Sequence, residues 1–308
     1  MRVALLSGGT GGAKLARGLL DVVGSAGLSV IANTGDDAEV YGVHVSPDPD
    51  LVTYWLADAI DERGYGIRGD TWQVMAALEA AGRPTWFRLG DRDLAMCLIR
   101  TELLATGTRL TDAHAAVVDA IGVEARVLPM SDSPVRTRVT ARGRTLGFQE
   151  FMVAAGAQGP IEAVELAGVA AARPSPEALA AIAEADVIVI GPSNPVASIG
   201  PILALPGAKE ALAAAPVPVV GVSPFVGGAV LKGPTELFCR YAGIEPRAAG
   251  LLQAYPAVLD AVVADEPVSG LPALETPTLM DTTERRRSVA TAILEFAGSL
   301  SRSERDSA

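Results

Sequence analysis

Residues 3–23 constrain the fold more than any other stretch. An apolar run at Arg2–Leu6 meets "SGGTGGAKL", so that Gly8, Gly9, Thr10, Gly11 and Gly12 stand ahead of Lys14, and an amphipathic helix is predicted over Ala13–Val23. A second β-branched run, Leu28–Ile31, follows. Strand, loop, helix and strand then form a βαβ unit near the minimum length, which forces its two strands to lie parallel. The same grammar returns late in the chain. Asp186–Ile190 reads as a buried strand, Ile199–Ala215 as a helix broken by Pro-Gly, and Val217–Val222 as another strand. Both ends therefore feed one sheet. The expected fold is α/β: a doubly wound, mainly parallel, Rossmann-like sheet formed by one domain over residues 1–300. Helices at about 51–62, 70–82, 91–106 and 111–121, with short β-like runs at Ala125–Leu128, Val135–Ala141 and Thr145–Phe148, are expected as a helix-rich insertion at about 50–150. The last long helix is placed at Thr282–Ser299, where "DTTE" offers a cap, and residues 301–308 are expected to be a disordered tail.

The glycine loop matches neither standard phosphate motif. Lys14 lies between Ala13 and Leu15 where a P-loop requires Gly-Lys-Ser/Thr, and it occupies the place of the third glycine of a dinucleotide fingerprint. The physics is nonetheless shared. Glycines after a strand let backbone N–H groups approach an anion, and the helix that follows aims its positive end at the same point. Close packing of a tight strand-to-helix turn is the alternative use of the same residues.

Charge sharpens the question, because the chain carries a formal net charge of −11. An acidic chain lacks the basic footprint that nucleic-acid binding needs, and an anionic ligand must be held by local donors or a metal. Apolar runs are interrupted by Gly, Pro and charges well short of the roughly 18 residues of a membrane span, and the N-terminus lacks the apolar core of a signal peptide. A cytoplasmic protein is expected. Cys97 and Cys239 show no metal or disulfide spacing and read as reduced structural thiols.

Four carboxylates cluster in "NTGDDAEVYGVHVSPDPD": Asp36, Asp37, Asp48 and Asp50. They follow the second strand, at the same end of the sheet as the glycines. Hard oxygen ligands beside a phosphate site suit Mg²⁺; turn formation by Asp36 and Asp37, and capping by Asp48 or Asp50 of a helix near Leu51, would use the same residues structurally. In "RLGDRD", Arg88 and Arg92 can hold an anion or a polar ring edge, or pair with surface carboxylates, while Asp91 or Asp93 can cap the helix that follows. "GPSNPVASIGPIL" places Ser193 and Asn194 at another strand's carboxyl end, where doubly wound sheets bind ligands, and "VSPFVGGAVLKGP" repeats the arrangement.

Taken together, "SGGTGGAKL", "NTGDD", "SPDPD", "RLGDRD", "RTELLATGTRLT", "LPMSD", "FQEF", "GPSNPVASIGPIL" and "VSPFVGGAVLKGP" occur in the order found in the 2-phospho-L-lactate transferase family, which this chain resembles over residues 1–240 and more weakly beyond. The resemblance implies a Mg²⁺-dependent enzyme of coenzyme F-420 biosynthesis. It would move a three-carbon phospho-acid (2-phospholactate, phosphoenolpyruvate or phosphoglycerate) from a guanosine-diphosphate-linked donor to the ribityl hydroxyl of the deazaflavin Fo, releasing GMP. Gly8, Gly9, Thr10, Gly11, Gly12 and Lys14 would cradle the diphosphate, Ser193 and Asn194 would face the nucleotide or the acid, and Asp50 and Arg88 match Fo contacts. Asp36 and Asp50 are expected to bind the metal or act on the hydroxyl. A homodimer is expected from the resemblance alone. A related family of nucleotide-sugar-binding regulators shares the loop and sheet, but lacks the combination of "SPDPD", "RLGDRD" and "FQEF". A nicotinamide-dependent oxidoreductase would need an acidic residue at the end of the second strand and a different loop spacing.

Overall fold

In the computed structural model, which describes residues 1–231 and 233–300, the βαβ unit is present as β1 (Val3–Ser7), α1 (Gly9–Val23) and β2 (Leu28–Ala32). The strands run parallel, with Val3 opposite Leu28 and Ser7 opposite Ala32. Helix α1 begins at Gly9 rather than Ala13, since the glycines form its first turn and the extended Gly8 is its N-cap. The tail expected at 301–308 lies outside the described residues.

A hairpin follows, β3 (Ala38–Val40) and β4 (Val43–Val45), and then four helices: α2 (Pro47–Leu56), α3 (Gln73–Ala80), α4 (Asp91–Ala105) and α5 (Leu110–Ile121). The run at 125–128 differs from expectation. It is β5 (Arg126–Pro129), which leaves the insertion and pairs in parallel with β2 as an edge of the main sheet, because Val127 completes the apolar face shared by β1 and β2. Strands β6 (Arg136–Ala141), β7 (Arg144–Gly147) and β8 (Ile161–Ala167) form a separate antiparallel sheet in the order β7-β6-β8. A π-helical turn at Glu150–Ala154 interrupts that sheet's connection.

After α6 (Pro176–Glu184) the chain re-enters the main sheet as β9 (Val187–Ile190), passes through α7 (Ile199–Leu203) and α8 (Ala208–Ala214), and returns as β10 (Val219–Val222). The Pro-Gly break thus separates two short helices. A small hairpin, β11 (Phe225–Val226) and β12 (Ala229–Val230), leads to α9 (Thr235–Ala242) and α10 (Gly250–Ala254), then β13 (Ala261–Ala264), β14 (Ala273–Glu275) and α11 (Thr283–Ser299). Thr282 caps α11, its hydroxyl oxygen accepting from the N–H of Arg285.

The main sheet has the order β14-β13-β10-β9-β1-β2-β5, and every neighbouring pair is parallel. The chain steps outward from β1 to β2 and β5, then crosses back to β9 and proceeds the other way. This reversal makes a topological switch point between β1 and β9, and a doubly wound sheet binds its ligand in the crevice outside such strands' carboxyl ends. Burial on both faces explains the unbroken apolar strands. Val3 and Leu5 of β1 join the core under α1, α2 and α11, whereas Ala4 and Leu6 join the opposite core with α6, α7 and α8. Among the described residues no helix is long and apolar enough to cross a membrane.

Candidate active site

At the switch point two loops meet with no room to spare. A Cβ on Gly11 would collide with the carbonyl oxygen of Pro192, one on Gly12 with Oγ of Ser7, and one on Gly8 would stand 2.5 Å from Cβ of Ser198. Close packing therefore accounts for these three glycines. Gly9 differs: its φ of +64° is left-handed and its Cβ position is open, so backbone conformation selects glycine there. The N–H of Gly8 donates to Ser193 Oγ at 3.2 Å, and the N–H of Gly9 donates to Asp48 Oδ1 at 2.6 Å. Thr10 and Gly11 remain partly exposed in the first turn of α1, at the positive end of the helix.

The other loop residues divide between structure and opportunity. Asn194 Oδ1 accepts from the N–H groups of Val196 and Ala197 at 2.9 and 3.0 Å. Lys14 lies more than a turn along α1, with Nζ 5.9 Å from the ring centroid of Trp55 in α2, and Arg286 of α11 stacks on the same ring at 5.3 Å.

Beside this crevice the four aspartates of residues 33–50 are all buried. Asn33 organises them. Its Oδ1 accepts from the N–H of Gly35 at 2.7 Å, closing an Asx turn. Its Nδ2 donates to Asp48 Oδ2 at 2.9 Å and to Asp36 Oδ1 at 3.3 Å. Gln149, from "FQEF", donates to Asp36 Oδ2 at 3.1 Å. Asp37 is committed elsewhere, accepting from Ser46 Oγ at 2.7 Å and pairing with His44 Nε2 at 3.0 Å. Helix α2 starts at Pro47, with proline in its first turn, so Asp48 and Asp50 lie inside the helix rather than before it. Asp48 thus caps α1 across the site and not its own helix.

Burial and the charges of Asp48 and Asp37 push the Asp36 carboxyl well above its ordinary range. Burial likewise raises Asp48 to about 6, against the hydrogen bonds from Asn33 and Gly9. A divalent cation would remove much of this cost. The oxygen-only pair of Asp36 and Asp48, bridged by Asn33, accordingly fits a hard cation such as Mg²⁺, whereas the expected pairing of Asp36 with Asp50 is not formed, because Arg100 takes both Asp50 oxygens. Asp50, Asp93 and Cys97 also bring ligand atoms within 4.8 Å of one another, but a thiol does not suit that ion.

Asp50 faces the other way, toward α4. Arg100 grips it with two bonds of 2.7 Å, one to each carboxylate oxygen, and both side chains are buried. Next to this pair lies a cavity of about 180 Å³, lined by Asp48, Asp50, Tyr54 and Asp93 together with Tyr65, Trp72, Phe87 and Arg88. Asp36 is not part of its lining. Burial and the charge of Asp50 push Asp93 up to about 7, and the hydroxyl of Tyr54 donates to its Oδ1 at 2.7 Å. Arg88 lies on the wall, its guanidinium 5.3 Å from the Trp72 ring centroid and its Nη1 2.8 Å from Glu79 Oε1.

The "RLGDRD" turn is held by exchanged caps. Asp70 accepts from the N–H groups of Arg92 and Asp93 at 2.9 and 3.1 Å, and so caps α4. Asp91 accepts from those of Gln73 and Val74 at 2.9 and 3.0 Å, and so caps α3. The sequence reading, in which Asp91 or Asp93 caps α4, misses this exchange because both partners are distant in the chain. It also misses Arg100, Asn33 and Gln149 as parts of the site. For Arg100 a signal exists: an arginine one helical turn from Cys97, directly after the apolar stretch Leu94–Ile99, implies a buried anionic partner.

Comparison with known proteins shows the family. The family described as 2-phospho-L-lactate transferase CofD matches residues 3–290, farther than the motif similarity alone extends. A phosphoenolpyruvate transferase of Kitasatospora aureofaciens is 41% identical, covering 96% of this chain and 98% of its own. A 2-phospho-L-lactate transferase of Methanosarcina mazei is 36% identical over 94% and 99%. Among solved structures, a UPF0052 family protein of Bacillus halodurans shares the fold, with a TM-score of 0.61 at 19% identity and coverage of 95% and 98%. By family match and by full-length similarity, the chain belongs to the 2-phospho-L-lactate transferase family.

Proposed function

We propose that this protein transfers a three-carbon phospho-acid from a guanosine-diphosphate-linked donor to the ribityl hydroxyl of Fo, with Mg²⁺, releasing GMP in the route to coenzyme F-420. The observation that carries the reading is the position of Asp48. Its carboxylate caps the glycine-rich turn of α1 and also lines the aromatic cavity, so a phosphate site and a planar-ring site share one wall.

The donor diphosphate would lie on the N-terminal turn of α1, near Thr10, Gly11, Ser193 and the Asn194 amide, with Lys14 adding positive charge. The deazaflavin ring would enter between Trp72, Tyr65 and Phe87, with Arg88 at its polar edge. Asp36 and Asp48, bridged by Asn33, would hold Mg²⁺, which when bound supplies positive charge against the phosphates, and Asp50 would act on the hydroxyl. The acceptor hydroxyl attacks the phosphorus next to the three-carbon acid, and its proton passes to Asp50 as the new P–O bond forms. The bridging oxygen leaves with GMP. Such transfers depend on positioning and charge neutralisation more than on a strong base, so an arginine-paired carboxylate is sufficient.

Among the candidate acids, phosphoenolpyruvate is proposed from relatives of that name, which are 36–42% identical to this chain. Homodimerisation is part of the proposal and is read by light scattering after gel filtration. The test of function is mass spectrometry of purified protein with Fo, Mg²⁺ and each of the three donors in turn. A deazaflavin carrying the acid, absent after EDTA, is expected; no product from any donor, in a protein that binds a nucleotide sugar, would replace the reading with that of a regulatory binding module.

A further inference from the structure

Arg100 is fully buried, and every one of its five N–H groups has an acceptor. Nη1 and Nη2 each donate to an oxygen of Asp50 at 2.7 Å. Nε and Nη2 converge on the carbonyl oxygen of His44 at 3.3 and 3.1 Å. The second hydrogen of Nη1 points at Nδ1 of His114, 3.4 Å away. An arginine nitrogen can only donate, so Nδ1 carries no proton. Nδ1 is then the acceptor, and Nε2–H donates to Thr53 Oγ1 at 3.3 Å. The Thr53 hydroxyl in turn donates to the carbonyl oxygen of Pro49 at 2.9 Å, within the turn of α2 that carries Asp50. The network thus closes on itself through β4, α4, α5 and α2.

We propose that Arg100 is a positioning residue which, seated by His114 and Thr53, holds the Asp50 carboxylate in one orientation in the lining of the cavity. The proposal rests on the reading of Asp50 as the carboxylate that acts on the acceptor hydroxyl. A planar fork with five fixed donors satisfies two carboxylate oxygens, one carbonyl and one imidazole at once. Lysine offers three donors from a single point and cannot span them. Charge alone is therefore not what this position supplies.

The experiment is a kinetic cycle on the full chain with Arg100→Lys, Asp50→Asn and the double variant, following kcat and the KM of the donor. Arg100→Lys keeps the charge and is expected to lower kcat about 100-fold with the donor KM within about threefold, the scale of a displaced catalytic group. Placed on Asp50→Asn, the same change is expected to cost nothing further. A kcat for Arg100→Lys within about threefold of the parent, or losses that multiply in the double variant, overturns the positioning role while leaving that of Asp50 standing. Near-parental activity of Asp50→Asn overturns both. Should Arg100→Lys fail to fold, Thr53→Val reads the far end of the network: kcat about tenfold lower, restored by Thr53→Ser, is expected, and an unchanged kcat overturns the proposal.

Discussion

Replacing Gly11 with alanine separates the two uses of the glycine loop. In the interior of an ordinary helix, Gly→Ala gains about 1 kcal/mol. At Gly11 the new methyl would stand well under 3.0 Å from the carbonyl oxygen of Pro192, which is backbone and cannot rotate away. Forced overpacking of this kind typically costs about 1–3 kcal/mol, and here it must also displace α1 or the 191–194 loop. With a backbone obstacle placing the cost in the upper half of that range, and the helix gain of about 1 kcal/mol subtracted, the expected net loss is about 1–2 kcal/mol, or roughly 1.5–3 °C in Tm for a chain of 308 residues. Gly298→Ala in α11, where a Cβ meets nothing within 4 Å, serves as the control and should leave Tm unchanged or slightly raised. Because Ser193 accepts from the N–H of Gly8, a shifted 191–194 loop should also weaken donor binding several-fold. Differential scanning calorimetry of both variants decides the matter. A Gly11→Ala protein as stable as the parent would refute the packing account of this loop.

Three further substitutions probe the site. Asp50→Asn should lower kcat at least about 100-fold while circular dichroism stays native at 25 °C; Tm should fall as well, since an unpaired buried Arg100 costs up to about 3–5 kcal/mol. Trp72→Ala should raise the KM for Fo roughly 5- to 100-fold through lost stacking while the donor KM holds, as checked by steady-state kinetics with each substrate varied. Lys14→Ala should weaken donor binding more than Fo binding by calorimetry, and equal affinities would remove Lys14 from the diphosphate site.

Much of the fold was legible because parallel strands buried on both faces announce themselves as short β-branched runs. Val3–Ser7, Val187–Ile190 and Val219–Val222 are such runs, and their carboxyl-end loops carry the glycines and Ser193. What escaped depended on partners far apart in sequence. Arg126–Pro129 resembles any short strand until its pairing with β2 is known. Asp48 and Asp91 each have the composition of a local helix cap, yet each caps a helix distant in the chain. Asp36 and Asp50, grouped by proximity in sequence, are held on different sides, one by Asn33 and Gln149 and the other by Arg100. Local spacing names the carboxylates; only the fold assigns their neighbours.

The most direct test of the transfer itself is ³¹P NMR of a reaction containing the enzyme, Mg²⁺, Fo and the phosphoenolpyruvate-linked guanosine diphosphate. The account predicts that the two coupled diphosphate signals disappear together and are replaced, one for one, by a phosphodiester and the monoester of GMP. An unchanged spectrum, or GMP accompanied by the phospho-acid released as a monoester with no diester formed, would contradict it.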